Sequence, residues 1–301
     1  MNGDWKIIEK HLTSTLGKTV CFKKIERVSG GCINDSYKIT DESNKYWFIK
    51  TNQNIKIDMF ATEFEGLRSI KNTNCIQVPN PVCYGQTGIH SYLILEYIDL
   101  LPNINQKMTG HALAQLHLFK NNSPQKDPIK KFGWIRDNTI GTTPQSNKAH
   151  ANWVSFFKDE RLLYQLNLAK NKGYPDSDYT SGLKLAENLE HFFDNYSPHA
   201  SLLHGDLWSG NCASDGDENP IIFDPAVYIG DRETDIAMTE LFGGFNQNFY
   251  DAYNEIYALD QGYKTRKKLY NLYHILNHFN LFGGSYALQA AETTRSLLAE
   301  L

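Results

Sequence analysis

Apolar residues recur along the first third of the chain with two periods. Between 3 and 17, Trp5, Ile8, Leu12 and Leu16 fall three or four apart and predict a helix. Short runs of alternating apolar and polar residues follow at 20–28, 34–40 and 45–50 and predict strands. They are separated by Gly30-Gly31 and by Asp41-Glu42-Ser43-Asn44. The helical period returns at 57–71, where Phe60, Phe64, Leu67 and Ile70 share a face. Val78-Pro79-Asn80-Pro81 breaks it, and strand-like runs appear near 81–85 and 91–97. From 105 onward the pattern is mostly helical, over 106–119, 150–172, 178–195, 234–243, 246–258 and 263–298. Strands are predicted there only near 210–214 and 220–224, joined by the turn-rich Asp215-Gly216-Asp217-Glu218-Asn219-Pro220. The pattern thus divides near Ile98-Asp99, with a β-rich block 1–99 before it and a helix-rich block 100–301 after it, an α+β organisation.

Composition adds limits. At 301 residues, 41% apolar and 21% charged, the chain can bury a substantial core and has the profile of a soluble globular protein. A formal charge of −4 offers no broad cationic face, so nucleic acid is excluded as the expected partner. No apolar run reaches the roughly 20 residues of a membrane span. Met1-Asn2-Gly3-Asp4-Trp5-Lys6 has neither the basic region nor the apolar stretch of a signal peptide. The five cysteines have no metal-like spacing and read as the reduced thiols of a cytoplasmic protein.

The candidate chemistry lies in the helix-rich block. His204-Gly205-Asp206-Leu207-Trp208-Ser209-Gly210-Asn211 is followed by Asp224-Pro225-Ala226 after the apolar run Ile221-Ile222-Phe223. Asp206 is placed to take a proton from an attacking hydroxyl. Asn211 and Asp224 are oxygen donors suited to Mg²⁺. Phosphoryl transfer needs little beyond such positioning and charge neutralisation. Ser29-Gly30-Gly31-Cys32-Ile33-Asn34, between two predicted strands, reads either as an ordinary turn or as a loop whose backbone N–H groups approach phosphate. Lys50 closes the strand Tyr46-Trp47-Phe48-Ile49-Lys50, and Glu63 and Glu65 both follow on the next helix. Asp235 reads as a helix N-cap and as a tie to the loop around Asp206. Asp231, Arg232 and Glu233 either pair internally or face a cationic, polyhydroxylated substrate. Trp208, two residues past Asp206, reads as an apolar platform beside the reacting group or as a core aromatic. The run Trp153 to Leu162 reads as packing, with Arg161 near the cleft.

These residues carry a resemblance. Leu-Leu-His-Gly-Asp-Leu-Trp-Ser-Gly-Asn (202–211), Asp-Pro-Ala-Val-Tyr-Ile-Gly-Asp-Arg-Glu (224–233) and Leu-Phe-Gly-Gly-Phe (241–245) resemble the fructosamine kinase (ketosamine-3-kinase) family. The larger group of kinase-like folds also holds aminoglycoside phosphotransferases and choline kinases. The likeness runs from Val28 to Gly284, and Trp208 and the Gly-Asp-Arg-Glu run are its more family-specific parts. It implies a two-lobed, protein-kinase-like fold, with a nucleotide-binding N-lobe (1–99) and a catalytic, substrate-binding C-lobe (100–301). It implies ATP and Mg²⁺ as cofactors, and phosphorylation of the 3-hydroxyl of fructosamine, ribulosamine or erythrulosamine adducts, free or on the lysines of glycated proteins.

In that frame the glycine loop (Ser29, Gly30, Gly31, Cys32) would cradle phosphate. Lys50 would hold the phosphates, oriented by Glu63 rather than Glu65, and the backbone at Glu96 and Ile98 would meet adenine. His204 would pack beneath the loop of Asp206. Trp208, Asp231, Arg232 and Glu233 would meet substrate. A monomer is expected, with Cys32 a possible redox link between two chains. The rival expectations are a kinase for an aminoglycoside, choline or another amino alcohol, and a catalytically silent nucleotide-binding protein.

Overall fold

A computed structural model describes residues 2–28, 34–53, 57–120 and 131–301. The glycine-loop residues Ser29, Gly30, Gly31 and Cys32 lie outside them. The first block opens with helix α1 (Asn2–Leu16), whose Ile8 and Leu12 are buried one turn apart, as their spacing requires. Strands β1 (Phe22–Val28), β2 (Asp35–Asp41), β3 (Tyr46–Gln53), β4 (Pro81–Gln86) and β5 (His90–Glu96) form an antiparallel sheet ordered β1-β2-β3-β5-β4. Helix α2 (Ile57–Lys71) lies between β3 and β4 in the chain.

The period of two along β3 sorts its side chains. Trp47 and Ile49 join Ile8, Leu12, Tyr92 and Ile94 in a small core under α1. Phe48 and Lys50 point to the opposite face and line a cleft. On β5, Leu93 and Leu95 face the same way as Phe48 and pack with Phe60, Leu67 and Ile70 of α2 in the main core. β3 runs three residues past Lys50, to Gln53, so the lysine is inside the strand and not at its end, and the alternation that puts Ile49 under α1 turns Lys50 inward on the other side.

The segment after β5 is pinned early. Leu101 exchanges backbone hydrogen bonds of 2.7 and 3.0 Å with Ser214, on the hairpin of β9 (Cys212–Ser214) and β10 (Pro220–Ile222). The second block is otherwise mainly helical: α3 (Gln106–Leu118), α4 (Trp153–Phe156), α5 (Leu163–Asn171), α6 (Asp176–Glu187), α7 (Glu233–Leu241), α8 (Gln247–Ile256), α9 (Tyr263–Phe282) and α10 (Tyr286–Leu298). The main core runs through them, with Leu269, Tyr270, Leu272 and Leu276 of α9 buried among their neighbours. No helix among the described residues is long and apolar enough to cross a membrane.

Three details differ from the sequence pattern. The helical run 263–298 is two helices, broken at Gly283-Gly284, where φ is +67° and +65°. The run 150–172 carries one wide π-helical turn at Phe157–Leu162 between α4 and α5. Two further strand pairs are present, β6 (Asn138–Ile140) with β7 (Thr143–Gln145) and β8 (Ala200–Leu203) with β11 (Tyr228–Asp231). Their three or four residues are too short to show a period.

Candidate active site

A cleft of about 660 Å³ lies between the sheet and the helical block and gathers most of the sequence-predicted site residues. From the sheet side, Lys50 reaches in from β3. Its Nζ donates to Glu63 Oε1 at 2.7 Å and also bonds the Asp224 carboxylate. Burial works against the charged amine, but the carboxylates of Asp224 and Glu63 outweigh it and raise Lys50 above the ordinary lysine range. Glu63 is thus the helix partner of Lys50. Glu65 faces away and pairs with Arg136 at 3.4 Å. Glu96 and Ile98 line the cleft. The N–H of Glu96 is committed to Asn80 O at 2.9 Å, so a backbone bond from Glu96 to a ligand would have to use its carbonyl.

Asp206 follows β8 through a turn that only glycine can make. Gly205 has φ +81°, and a Cβ there would lie 2.1 Å from Ala226 O. The loop of Asp206 is thereby pressed against the segment after Asp224. Asn211 Nδ2 donates to Asp206 O at 2.9 Å and to Asp206 Oδ2 at 3.2 Å. Burial, reinforced by the nearby charge of Asp224, pushes the Asp206 carboxyl up to about 7. Asp224 follows β10 in a left-handed conformation, φ +57°, that aspartate tolerates better than most residues. Phe223 N–H donates to Asn211 O at 3.1 Å, so the two oxygen-bearing segments are hydrogen-bonded to each other.

His204 supports this loop from below. It is fully buried, accepts from Asp206 N–H at Nδ1 (3.3 Å) and donates from Nε2 to Phe223 O (3.0 Å). Burial lowers its proton affinity, which fits a neutral ring with one donor and one acceptor nitrogen. Asp235 is not an N-cap: it sits inside the first turn of α7. Its oxygens accept from His204 N–H (2.7 Å), Gly205 N–H (2.9 Å) and His117 Nε2 (3.2 Å). Its second expected role, tying the loop to the helix, is the one it performs.

Asp231, Arg232 and Glu233 are the clearest departure from expectation. All three are buried and none lines the cleft. Asp231 accepts from Tyr196 and Tyr270 hydroxyls at 2.9 and 2.5 Å. Arg232 donates to Tyr257 O and Ala258 O at 2.8 and 2.6 Å. Glu233 accepts two bonds from Arg266, at 2.7 and 3.0 Å. With donors and acceptors so committed, they hold β11 and α7 in place, and the expectation that they meet substrate is corrected. Arg161 is likewise fully buried, over the rings of Phe156 and Tyr228, and does not reach the cleft.

Trp208 is 38% exposed and lines the cleft, so it is not a core aromatic. The hairpin β6–β7, which the sequence pattern did not single out, supplies Asn138, Thr139 and Gly141 to the same wall. It is clamped from behind. Tyr273 hydroxyl donates to Gln145 Oε1 (2.5 Å), Gln145 Nε2 to Asn138 Oδ1 (2.7 Å), and Asn138 Nδ2 to Val227 O (2.9 Å). The only sequence signal was a glycine turn in a polar stretch, which most loops share.

A buried sheet lysine paired with a helix glutamate, set in one cleft with an aspartate and an asparagine–aspartate pair, defines an ATP-dependent phosphotransferase of kinase-like fold. Comparison with known proteins makes the class specific. The family model described as fructosamine kinase matches residues 4–300. A probable ketoamine kinase of Synechocystis sp. is 42% identical over 98% of this chain and 97% of its own length. A chloroplastic protein-ribulosamine 3-kinase of Arabidopsis thaliana is 42% identical over 92% of this chain and 83% of its own. The crystal structure of a candidate fructosamine-3-kinase from Haemophilus somnus superposes with a TM-score of 0.87 at 32% identity, covering 99% of this chain and 98% of the other. The chain belongs to the fructosamine kinase family.

Proposed function

We propose that the protein phosphorylates the 3-hydroxyl of ketosamines, with Asp206 as the proton acceptor, residues 1–99 as the nucleotide lobe and 100–301 as the catalytic lobe. The observation that carries this reading is the single cleft in which Lys50, held by Glu63, faces Asp206, Asn211, Asp224 and Trp208. The hydroxyl oxygen attacks the γ-phosphorus of ATP, the bond to the β,γ-bridging oxygen breaks, ADP leaves, and the hydroxyl proton passes to an Asp206 oxygen. Lys50 holds phosphate oxygens.

The donor set suits Mg²⁺. The Asn211 amide nitrogen is bound to Asp206, which leaves its Oδ1 as the ligand, and the Asp224 carboxylate is about half exposed to the cleft. Two hard oxygens match an ion that keeps several waters and takes further ligands from substrate phosphates. When bound, Mg²⁺ neutralises phosphate charge. The protein's own part is to fix the two oxygens on segments that are hydrogen-bonded to each other. A cytoplasmic site of action fits both the sequence and this chemistry.

The direct experiment is phosphate transfer from ATP to a panel of ribulosamine, erythrulosamine and fructosamine adducts, with choline and kanamycin as controls. Turnover is expected on ketosamines alone, and turnover on a control without any on ketosamines would sink the proposal. Trp208 is read as a platform for the amine-bearing end of the acceptor. Removing that ring in Trp208→Ala is expected to raise the ketosamine KM roughly tenfold, the scale of one desolvated cation–π contact, and to leave the ATP KM unchanged. An equal loss of ATP affinity, or unfolding, would instead make it a packing residue.

A further inference from the structure

A row of aromatic rings leaves the cleft on its helical side. Trp208 meets Phe242 edge-on at 6.3 Å between centroids, and Phe242 meets His278 at 4.9 Å. His278 then meets Phe282 at 5.7 Å and Tyr286 at 5.1 Å. Phe242 closes α7, His278 and Phe282 lie four apart on α9, and Tyr286 opens α10, so three helices present one surface. His278 is anchored through Nδ1 to His274 O at 2.8 Å. Phe242 is 42% exposed and Phe282 70%. Single exposed apolar residues are ordinary, whereas a connected set beside a cleft marks a surface that binds.

We propose that this row docks the polypeptide around a glycated lysine and favours aromatic or large aliphatic side chains next to that lysine. The inference rests on the ketosamine-kinase reading and deepens it. Continuity with the cleft and the reach of a lysine side chain support it. Trp208 lines the cavity that holds Asp206, so an acceptor whose hydroxyl is at Asp206 carries its amine past Trp208. An extended lysine stem adds roughly 6 Å between Nζ and Cα, its five bonds of about 1.5 Å each advancing about 1.25 Å along the chain. The substrate backbone then emerges over Phe242 and His278, and its neighbouring side chains fall on Phe282 and Tyr286. A free ketosamine ends before that point and leaves the outer rings unused. Aromatic rings in such a place provide large contact area and few rotamers to freeze. A second copy of the chain seated there would obstruct the approach of any acceptor to Trp208, which argues for a polypeptide instead.

The test compares three acceptors: ribulosamine on Nα-acetyl-lysine amide, and the same adduct in an octapeptide with phenylalanine or with serine on both sides of the lysine. The enzymes are the wild type, Phe282→Ser and Phe242→Ser, each checked for fold by circular dichroism. Wild type is expected to prefer the phenylalanine peptide in kcat/KM by roughly tenfold over both other acceptors, the scale of one well-buried aromatic contact, and each variant to lose that preference. Equal kcat/KM for the three acceptors in wild type, or a preference that survives both substitutions, would overturn the docking role. So would a wild-type dimer in sedimentation equilibrium that Phe282→Ser dissociates, since it would assign the row to self-association. Failure on every ketosamine, the free adduct included, would remove the kinase reading itself and this inference with it.

Discussion

Asp206→Asn is expected to fold, to bind nucleotide, and to turn over ketosamine at least ~100-fold more slowly, the low end for loss of a positioned proton acceptor. The amide keeps the shape of the carboxylate and can still accept from Asn211 Nδ2, so the loop held by Asp235 has no reason to move. It cannot take the hydroxyl proton. The loss should therefore fall on kcat, measured at saturating ATP and acceptor, while calorimetric nucleotide binding stays near wild type. Near-normal turnover would remove Asp206 from the chemistry. Weak nucleotide binding would show that the substitution had disturbed the neighbouring Asp224 or the Lys50 bonded to it.

The second large effect is on stability. Arg266→Ala should destabilise the protein by about 3–5 kcal/mol, because it leaves a buried carboxylate without its partner. Glu233 is fully buried and receives two Arg266 bonds, and Arg266 also donates to Asp260 at 2.7 Å. Equilibrium unfolding in urea measures the loss. Ketosamine KM, taken at a temperature where the variant is folded, should not change. A many-fold rise in KM with stability intact would return Glu233 to the substrate site and overturn the reading given for the whole Asp231–Glu233 run.

The parts of this site that sequence showed are those whose chemistry leaves a mark on residue type. Asp206, Asn211 and Asp224 are polar residues at short spacings beside apolar strands, and the cleft brings all three together. Lys50 and Glu63 were visible because a strand period and a helix period converge on them, although the choice over Glu65 came from resemblance. Asp231, Arg232 and Glu233 were misleading for a physical reason. A run of charges next to an active segment looks the same whether it faces a substrate or is neutralised inside by Tyr196, Tyr270 and Arg266, and the latter lie up to 39 residues away. The β6–β7 wall escaped notice because three-residue strands have no period, and its clamp depends on Tyr273, 128 residues beyond Gln145. The break at Gly283-Gly284 was hidden by apolar residues that keep a helical spacing on both sides.

Lys50 has one more consequence, for an enzyme that acts on sugar–amine adducts. Condensation of an amine with an aldehyde requires the neutral amine and room to form a tetrahedral carbon beside nitrogen. Lys50 is 6% exposed, is flanked by two carboxylates and holds its proton more tightly than an ordinary lysine. The two ion pairs thus make it a poor nucleophile toward reducing sugars, and the kinase keeps this cleft amine out of the reaction between sugars and amines.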